Sequence, residues 1–178
     1  MKKLSIQDLC LTGVFAAIII VLGQLSIPMP YGVPMTLQTF IIPFSGIVLG
    51  AKRGALATLI YIILGAVGLP VFAGFTGGMS IVFGPTGGFI LSFPIMAWLA
   101  GKAAEKENIL WMFAGLTMGT LLNFLCGMLM FSLITSSSFA TAFLACVLPF
   151  IPTAIIKIIL SGALGRSIKK LLIKGKLV

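Results

Sequence analysis

Lys157 lies inside the apolar run PFIPTAIIKIIL, and no Asp, Glu or His occurs in any apolar segment to pair with it. A lysine within a membrane segment costs roughly 2.5–3.5 kcal/mol at the bilayer centre and usually has a partner and a function. Two uses stay open: snorkelling to the interface from near a helix end, or holding an anionic or carbonyl-bearing ligand. Pro152 suits a first helical turn, so the last helix is expected to begin near it, with Lys157 in the second turn. Thr36, Gln38 and Thr39 stand together in VPMTLQT. Gln38 offers donors and an acceptor suited to a neutral, amide-like group, and Thr36 and Thr39 have the spacing of one helical face. Each serves equally well as a polar residue at the outer interface. Asn123 is a further candidate, with interhelical hydrogen bonding as its alternative use. Tyr31, Phe72, Phe75, Phe83 and Phe89 either wall an aromatic pocket or pack without contacting a ligand.

The absences narrow the chemistry further. The sequence has no histidine, and its three acids, Asp8, Glu105 and Glu107, all flank apolar segments. No carboxylate dyad, metal cluster or proton relay can be assembled from them, which excludes most hydrolase and metalloenzyme chemistry and ordinary proton coupling. Serines and one lysine without an orienting group make a membrane enzyme the weakest reading. No G-x-x-x-x-G-K-[ST] motif occurs, so the chain is not expected to hydrolyse ATP itself. No metal or cofactor is expected. Cys10, Cys126 and Cys146 lack metal-ligand or disulfide spacing and read as small packing residues.

The elements that must position these residues surround one broken stretch, Leu69 to Phe89 (LPVFAGFTGGMSIVFGPTGGF), with six glycines and two prolines. An uninterrupted helix cannot run through Pro70, Gly77-Gly78 and Gly84-Pro85-Thr86-Gly87-Gly88, so the backbone must bend and uncover amides. In a membrane such backbone is tolerated where it lines a cavity or is buried in protein. The glycines alternate with bulky apolar residues, which favours a packed binding loop over a flexible linker. Gly74, Gly77, Gly78, Gly87 and Gly88 are therefore candidate site positions. Exposed amides near Gly87-Gly88 would favour an anion at a helix start.

Of the 178 residues, 60% are hydrophobic and 8% charged, with a mean hydropathy of +1.23. Soluble domains carry about 25% charged residues, so the chain reads as an all-α integral membrane protein. The expectation is a single membrane domain over 1–178, a bundle of six transmembrane helices at approximately 9–25, 37–50, 54–68, 80–100, 109–134 and 150–165. The fourth span has an expected break at Gly84-Pro85, and the Gly/Pro loop joins helices 3 and 4. Spans two to four are short for a bilayer needing about 20 apolar residues per helix, which suggests a cavity open to the outside. Eleven of the twelve Lys and Arg fall at the N-terminus, at Lys52-Arg53, at Lys102 to Lys106 or in the tail from Arg166. The positive-inside rule then puts both termini in the cytoplasm and the Gly/Pro loop outside, with Trp98 and Trp111 as interfacial anchors. The net charge of +9 is thus a topology signal aided by anionic lipid, and nucleic acid is not expected as a partner. Gly13-x-x-x-Ala17 and Gly46-x-x-x-Gly50 allow close helix approach, within the bundle or with another membrane protein. An oligomerising structural protein or pore-former remains an alternative.

The sequence resembles the BioY family, the biotin-specific S components of energy-coupling factor (ECF) transporters. The matching pieces run in order along nearly the whole chain: Val33-Pro34-x-Thr36-Leu37-Gln38-Thr39, Gly50-x-x-Arg53-Gly54, Tyr61, and Gly65-x-x-Gly68-Leu69-Pro70-Val71-Phe72-Ala73-Gly74. Gly77-Gly78, Gly84-Pro85-Thr86-Gly87-Gly88-Phe89 and the Pro152…Lys157 spacing follow. The resemblance implies six helices, biotin as ligand, and assembly with a membrane coupling (T) protein and two ATPase subunits. It also implies that Gly13 and Ala17 dock onto the coupling protein. Two departures stand out: Phe75 where the family usually has glycine, and Ala154 where it usually has an aspartate three residues before the lysine. Another small vitamin is the alternative ligand that Ala154 leaves open.

Overall fold

The computed structural model describes residues 5–175. Lys2, Lys3 and Lys176, part of the charge pattern above, lie outside the described residues. A capping box starts the first helix: Ser5 Oγ accepts from the Asp8 N–H at 3.1 Å, and Asp8 Oδ2 accepts from the Ser5 N–H at 2.9 Å. Among the described residues there are eight α-helices: α1 (Ile6–Gly23), α2 (Gln38–Leu49), α3 (Ala51–Ala66), α4 (Met79–Val82), α5 (Gly87–Ala104), α6 (Ile109–Thr135), α7 (Phe139–Cys146) and α8 (Ile151–Lys174). Between α1 and α2, β1 (Ser26–Ile27) pairs antiparallel with β2 (Met35–Thr36), and Pro30–Gly32 forms a 3-10 turn at the ribbon tip.

The expected count of six helices is therefore corrected. The span expected at 80–100 divides into the single turn α4 and the helix α5, because Gly84 and Pro85 fill the junction. An additional short helix, α7, lies between the spans expected at 109–134 and 150–165, and a 3-10 turn, Leu148–Phe150, which contains Pro149, joins it to α8. In addition, α8 runs to Lys174 and not to 165. Lysine and arginine are good helix formers, so the helix outlasts its apolar section. Thr36 lies in β2 and Thr39 in α2, so their shared helical face is also corrected.

Four stretches are long and apolar enough to cross a membrane: Ile6–Gly23, Gly87–Ala104, Ile109–Thr135 and Phe139–Lys174. By contrast, α2 has 12 residues and α3 has 16. At 1.5 Å per residue they span about 18 and 24 Å, short of a hydrocarbon core of about 30 Å. The missing turn of α2 is replaced by the β1–β2 ribbon, and a cleft lined by Thr36, Gln38 and Thr39 forms there.

Small residues let the central backbones touch. A Cβ on Gly46 would strike the Ala97 carbonyl of α5, one on Gly54 would strike Gly46, and one on Gly101 would strike Ala51 and the Gly46 carbonyl. This junction of α2, α3 and α5 shows the close approach that small residues permit between membrane helices. Gly50, expected on the same small-residue face as Gly46, instead turns the chain from α2 into α3 with φ +87°. Gly13 and Ala17 are exposed on α1.

The acids are all at the end of the bundle opposite the Gly/Pro loop. Asp8 Oδ1 pairs with Arg53 Nη1 at 2.8 Å, tying α1 to α3. Glu105 accepts from Lys102 at 2.9 Å and from the Ala51 N–H at 3.3 Å. Burial alone would raise the Glu105 carboxyl, but Lys102, the Ala51 N–H and nearby Lys169 hold it below its ordinary value. Lys106 lies over the Trp111 ring, 3.6 Å from its centroid, a cation–π contact at the boundary where such aromatics anchor. The outward surface is apolar, with Leu110, Leu121, Leu125, Leu133, Ile155 and Ile156 all exposed. So much exposed apolar surface marks contact with lipid or partner proteins.

Candidate ligand-binding site

A cavity of about 240 Å³ opens beneath the Gly/Pro loop. The first two turns of α8 bring Thr153, Ala154 and Lys157 to it, one helical face by their spacing. Thr36 of β2 and Gln38 and Thr39 of α2 face them, while Phe89, Ile90 and Phe93 of α5 form an apolar wall. Thr120 and Phe124 of α6 close the rear.

Lys157 is half-buried and reaches across to α2. Its Nζ donates to the Thr36 carbonyl at 2.7 Å and to Thr39 Oγ1 at 3.0 Å. An ammonium carries three protons, so one donor remains for a ligand. Both described ion pairs lie at the opposite end of the bundle. The charge of Lys157 is thus solvated by a carbonyl and a hydroxyl and neutralised by no carboxylate among the described residues.

Gln38 lines the same cavity but is already engaged. Its Oε1 accepts from Thr36 Oγ1 at 3.1 Å, and its Nε2 donates to the Tyr61 hydroxyl at 2.6 Å. Tyr61 is buried and meets Phe72 edge-on, with ring centroids 5.5 Å apart. Phe72 in turn lies flat against Gly65, where any Cβ would collide with its ring. Gln38 therefore offers a ligand one remaining amide proton, held in place by Tyr61.

The loop residues separate into two sets. Phe72 donates its N–H to the Thr76 carbonyl at 2.9 Å, closing a small hairpin. Its base, Phe72, Ala73 and Thr76, lines the cavity. Its tip, Gly74 (φ +69°) and Phe75 (φ +58°), does not, and Phe75 is 74% exposed. Tyr31 is likewise exposed at the ribbon tip with φ +68°, while its neighbour Gly32 reaches the cavity. Gly77, Gly78, Gly87 and Gly88 lie outside the lining. Gly77 backs onto the Leu69 carbonyl, Gly87 onto the Val82 carbonyl and Gly88 onto the Cys126 carbonyl. The amides of Gly78 and Gly87 are taken by the Gly65 and Gly84 carbonyls at 2.7 and 2.9 Å. Gly77, Gly87 and Gly88 thus fit against backbone carbonyls, and the amides of Gly78 and Gly87 are not open to an anion. Asn123, also outside the lining, is buried and donates to the Phe89 carbonyl at 2.9 Å and to Ser92 Oγ at 2.8 Å. It joins α6 to α5 directly behind the Phe89 wall.

A model of the BioY family matches residues 1–174. This chain belongs to the BioY family. Members are transporter substrate-binding components, not enzymes, and with its several membrane-length helices the chain is a multi-pass membrane protein. It is 42% identical over 151 residues to a probable biotin transporter BioY of Pyrococcus horikoshii, covering 85% of this chain and 89% of that one. It is 36% identical to the biotin transporter BioY of Thermotoga maritima, covering 93% and 97%. Its fold matches the crystal structure of the S-component for biotin from an ECF-type ABC transporter, with TM-score 0.86 and 28% identity over 93% of this chain and 92% of that one.

Several lining residues of this BioY-family chain went unnamed as site residues in the sequence reading. Thr153 precedes Lys157 by four positions, Phe93 follows Phe89 by four and Phe124 follows Thr120 by four. Applying the helical-face rule outward from Lys157 and Phe89 would have found Thr153 and Phe93. Phe150, in the 3-10 turn before α8, gave no periodic signal.

Gln24 was also missed, and it latches the hairpin to the end of α1. Its Oε1 accepts from the Phe75 N–H at 2.8 Å, and its Nε2 donates to the Val71 carbonyl at 2.9 Å and the Pro70 carbonyl at 3.3 Å. Each such bond is worth about 0.5–1.5 kcal/mol. Gln24→Ala is expected to speed amide hydrogen exchange at residues 71–76 by about tenfold and to leave exchange in α5 and α6 unchanged. Unaltered exchange across 71–76 would show that the latch does not hold the loop.

Proposed function

We propose that this chain captures biotin as the substrate-binding S component of an ECF-type vitamin uptake transporter, with no chemistry on the ligand. The observation that carries this reading is Lys157: a half-buried cation without a carboxylate partner among the described residues, on the wall of a cavity otherwise lined by aromatic, aliphatic and neutral polar residues. Biotin presents complementary features, namely an apolar ring and chain, a ureido group and a carboxylate. The lysine supplies a charged donor, Gln38 and Thr36 supply neutral polar contacts, and Phe72 and Phe89 enclose apolar surface. The names of the relatives in Pyrococcus and Thermotoga support the same vitamin. Ala154 places a methyl group beside Lys157 in the cavity, so ligand charge meets the lysine without competition.

In this proposal the polypeptide crosses the membrane six times, through α1, α2, α3, α4–α5, α6 and α7–α8, as a single domain. Both termini then lie in the cytoplasm and the cavity opens outward, in keeping with the Lys and Arg distribution. Energy comes from a membrane coupling protein and two ATPase subunits, with the exposed Gly13 and Ala17 of α1 as the docking face. Biotin is the sole small-molecule ligand, and no cofactor takes part.

The test is equilibrium binding of labelled biotin to detergent-purified protein, with competition by other water-soluble vitamins. Saturable binding displaced by unlabelled biotin alone is the expected result. Displacement by a different vitamin at lower concentration would reassign the ligand. Absence of saturable binding by any of them would favour a structural role for the chain.

A further inference from the structure

A second cavity, of about 200 Å³, lies at the opposite end of the bundle, between the α5–α6 turn and the last turns of α8. Arg166, Lys169 and Lys170 line it, at the i, i+3 and i+4 positions that share one helical face. Lys169 Nζ donates to the Ala104 carbonyl at 3.2 Å, which holds this cation against the negative end of the α5 dipole. The remaining walls are Ile47, Ile109, Met112 and Ile173, and the single acid in the lining is Glu107.

The pocket gathers cations, although Lys169 also lies near enough to Glu105 to lower its carboxyl. Arg53 is matched by Asp8, Lys102 by Glu105, and Lys106 stacks on Trp111. Three cations and one carboxylate line the cavity, and among the described residues no carboxylate forms an ion pair with Arg166, Lys169 or Lys170. A guanidinium flanked by two ammoniums suits the planar, bidentate recognition of a phosphate. The apolar walls and the exposed flank of α8 at Leu164, Ile168 and Leu171 suit acyl chains better than a soluble anion. Basic pockets between membrane helices at the cytoplasmic side are where anionic headgroups are held.

We infer that this cavity is a binding site for the phosphate headgroup of an anionic phospholipid, with Arg166, Lys169 and Lys170 as its ligands. The site fastens the end of α8 to the α5–α6 turn, at the far end of the helix that carries Lys157. The inference rests on the membrane placement of the helices and not on which vitamin is captured.

Native mass spectrometry of the detergent-purified full chain tests it, with phosphatidylglycerol, phosphatidylcholine and inorganic phosphate as probes. Phosphatidylglycerol is expected to bind in preference to phosphatidylcholine. Its affinity should fall on the order of 100-fold in Arg166→Gln/Lys169→Gln/Lys170→Gln, as charge-assisted bonds to phosphate are lost. The control Lys52→Gln removes a cation that is not part of this lining and should change affinity less than about threefold. Glu107→Gln, which removes the one acid from the lining, should tighten phosphatidylglycerol binding by about threefold or more and gives a second reading should the triple variant not fold. Equal loss in the control, unchanged binding in the triple variant, or no tightening in Glu107→Gln would overturn the site. Equal binding of phosphatidylcholine would reduce it to an apolar groove, and displacement by millimolar inorganic phosphate would make it a site for soluble anions.

Discussion

Replacing Lys157 with methionine is expected to leave the ligand-free protein about as stable as before while weakening its capture of biotin. The argument rests on what surrounds the ammonium. Lys157 is solvated by the Thr36 carbonyl and the Thr39 hydroxyl, with no carboxylate among the described residues to offset its desolvation. Roughly 2.5–3.5 kcal/mol is the cost of such a charge at the bilayer centre, and two hydrogen bonds from a charged group, each worth about 1.5–3 kcal/mol, offset it. Methionine keeps a similar length without the charge or the bonds, so the unliganded stability is expected to change by no more than about 1 kcal/mol. Biotin binding should weaken. A hydrogen bond to a charged group is worth about 1.5–3 kcal/mol, so Kd should rise by roughly 10- to 150-fold. Saturating biotin at about 100 times Kd stabilises a protein by about 2.7 kcal/mol, so the two melting temperatures should separate only when the vitamin is added. Thermal unfolding in detergent with and without biotin reads both effects. A variant that binds biotin within a few-fold of the original would remove Lys157 from the site. One that is markedly less stable without ligand would show the lysine to be structural.

Lys157 was legible in the sequence because a cation in an apolar run is an anomaly that secondary structure does not explain. Thr36 and Gln38 were legible for a related reason, as polar residues gathered at the start of a short apolar segment. The loop was harder to read, since FAGFT contains two phenylalanines of equal hydrophobicity. Only the Phe72–Thr76 bridge decides that Phe72 turns inward and Phe75 outward. Asn123 was correctly suspected of interhelical bonding, but its link to the Phe89 carbonyl depends on how α5 and α6 pack. The start of α8 was written in Pro149 and Pro152, in keeping with a last span expected from 150. The helix α7 was not foreseen, because its 8 residues fall between the expected spans 109–134 and 150–165 and are too few to cross a membrane. The pocket at Arg166, Lys169 and Lys170 was hidden by the same habit: a basic tail reads as a topology signal until its side chains are seen facing the α5–α6 turn.

The glycines are the hardest residues to read from composition, and Gly88 makes the point testable. A glycine whose amide holds a ligand and a glycine that lets two backbones touch look identical in sequence. In the structure a Cβ on Gly88 would collide with the Cys126 carbonyl of α6 and come within 2.9 Å of Met130 Cβ. Neither neighbour is the end of a flexible side chain, so α5 and α6 themselves must separate. Gly88→Val is expected to cost about 3 kcal/mol, the upper range for overpacking a tight interior, and to lower the melting temperature of the ligand-free protein by roughly 5–10 °C. Biotin binding should weaken as a consequence, since Phe89 is the next residue and its carbonyl is bonded by Asn123 across the same interface. Gly74→Ala is the contrasting case. Nothing lies within 4 Å of its Cβ position, but φ is +69°, so the cost is about 1–2 kcal/mol of local backbone strain. That strain falls on an exposed hairpin tip and should leave the main unfolding transition nearly unmoved. If Gly88→Val instead leaves the ligand-free melting temperature unchanged while binding is lost, Gly88 touches biotin after all, and the α5–α6 contact is looser than its geometry implies.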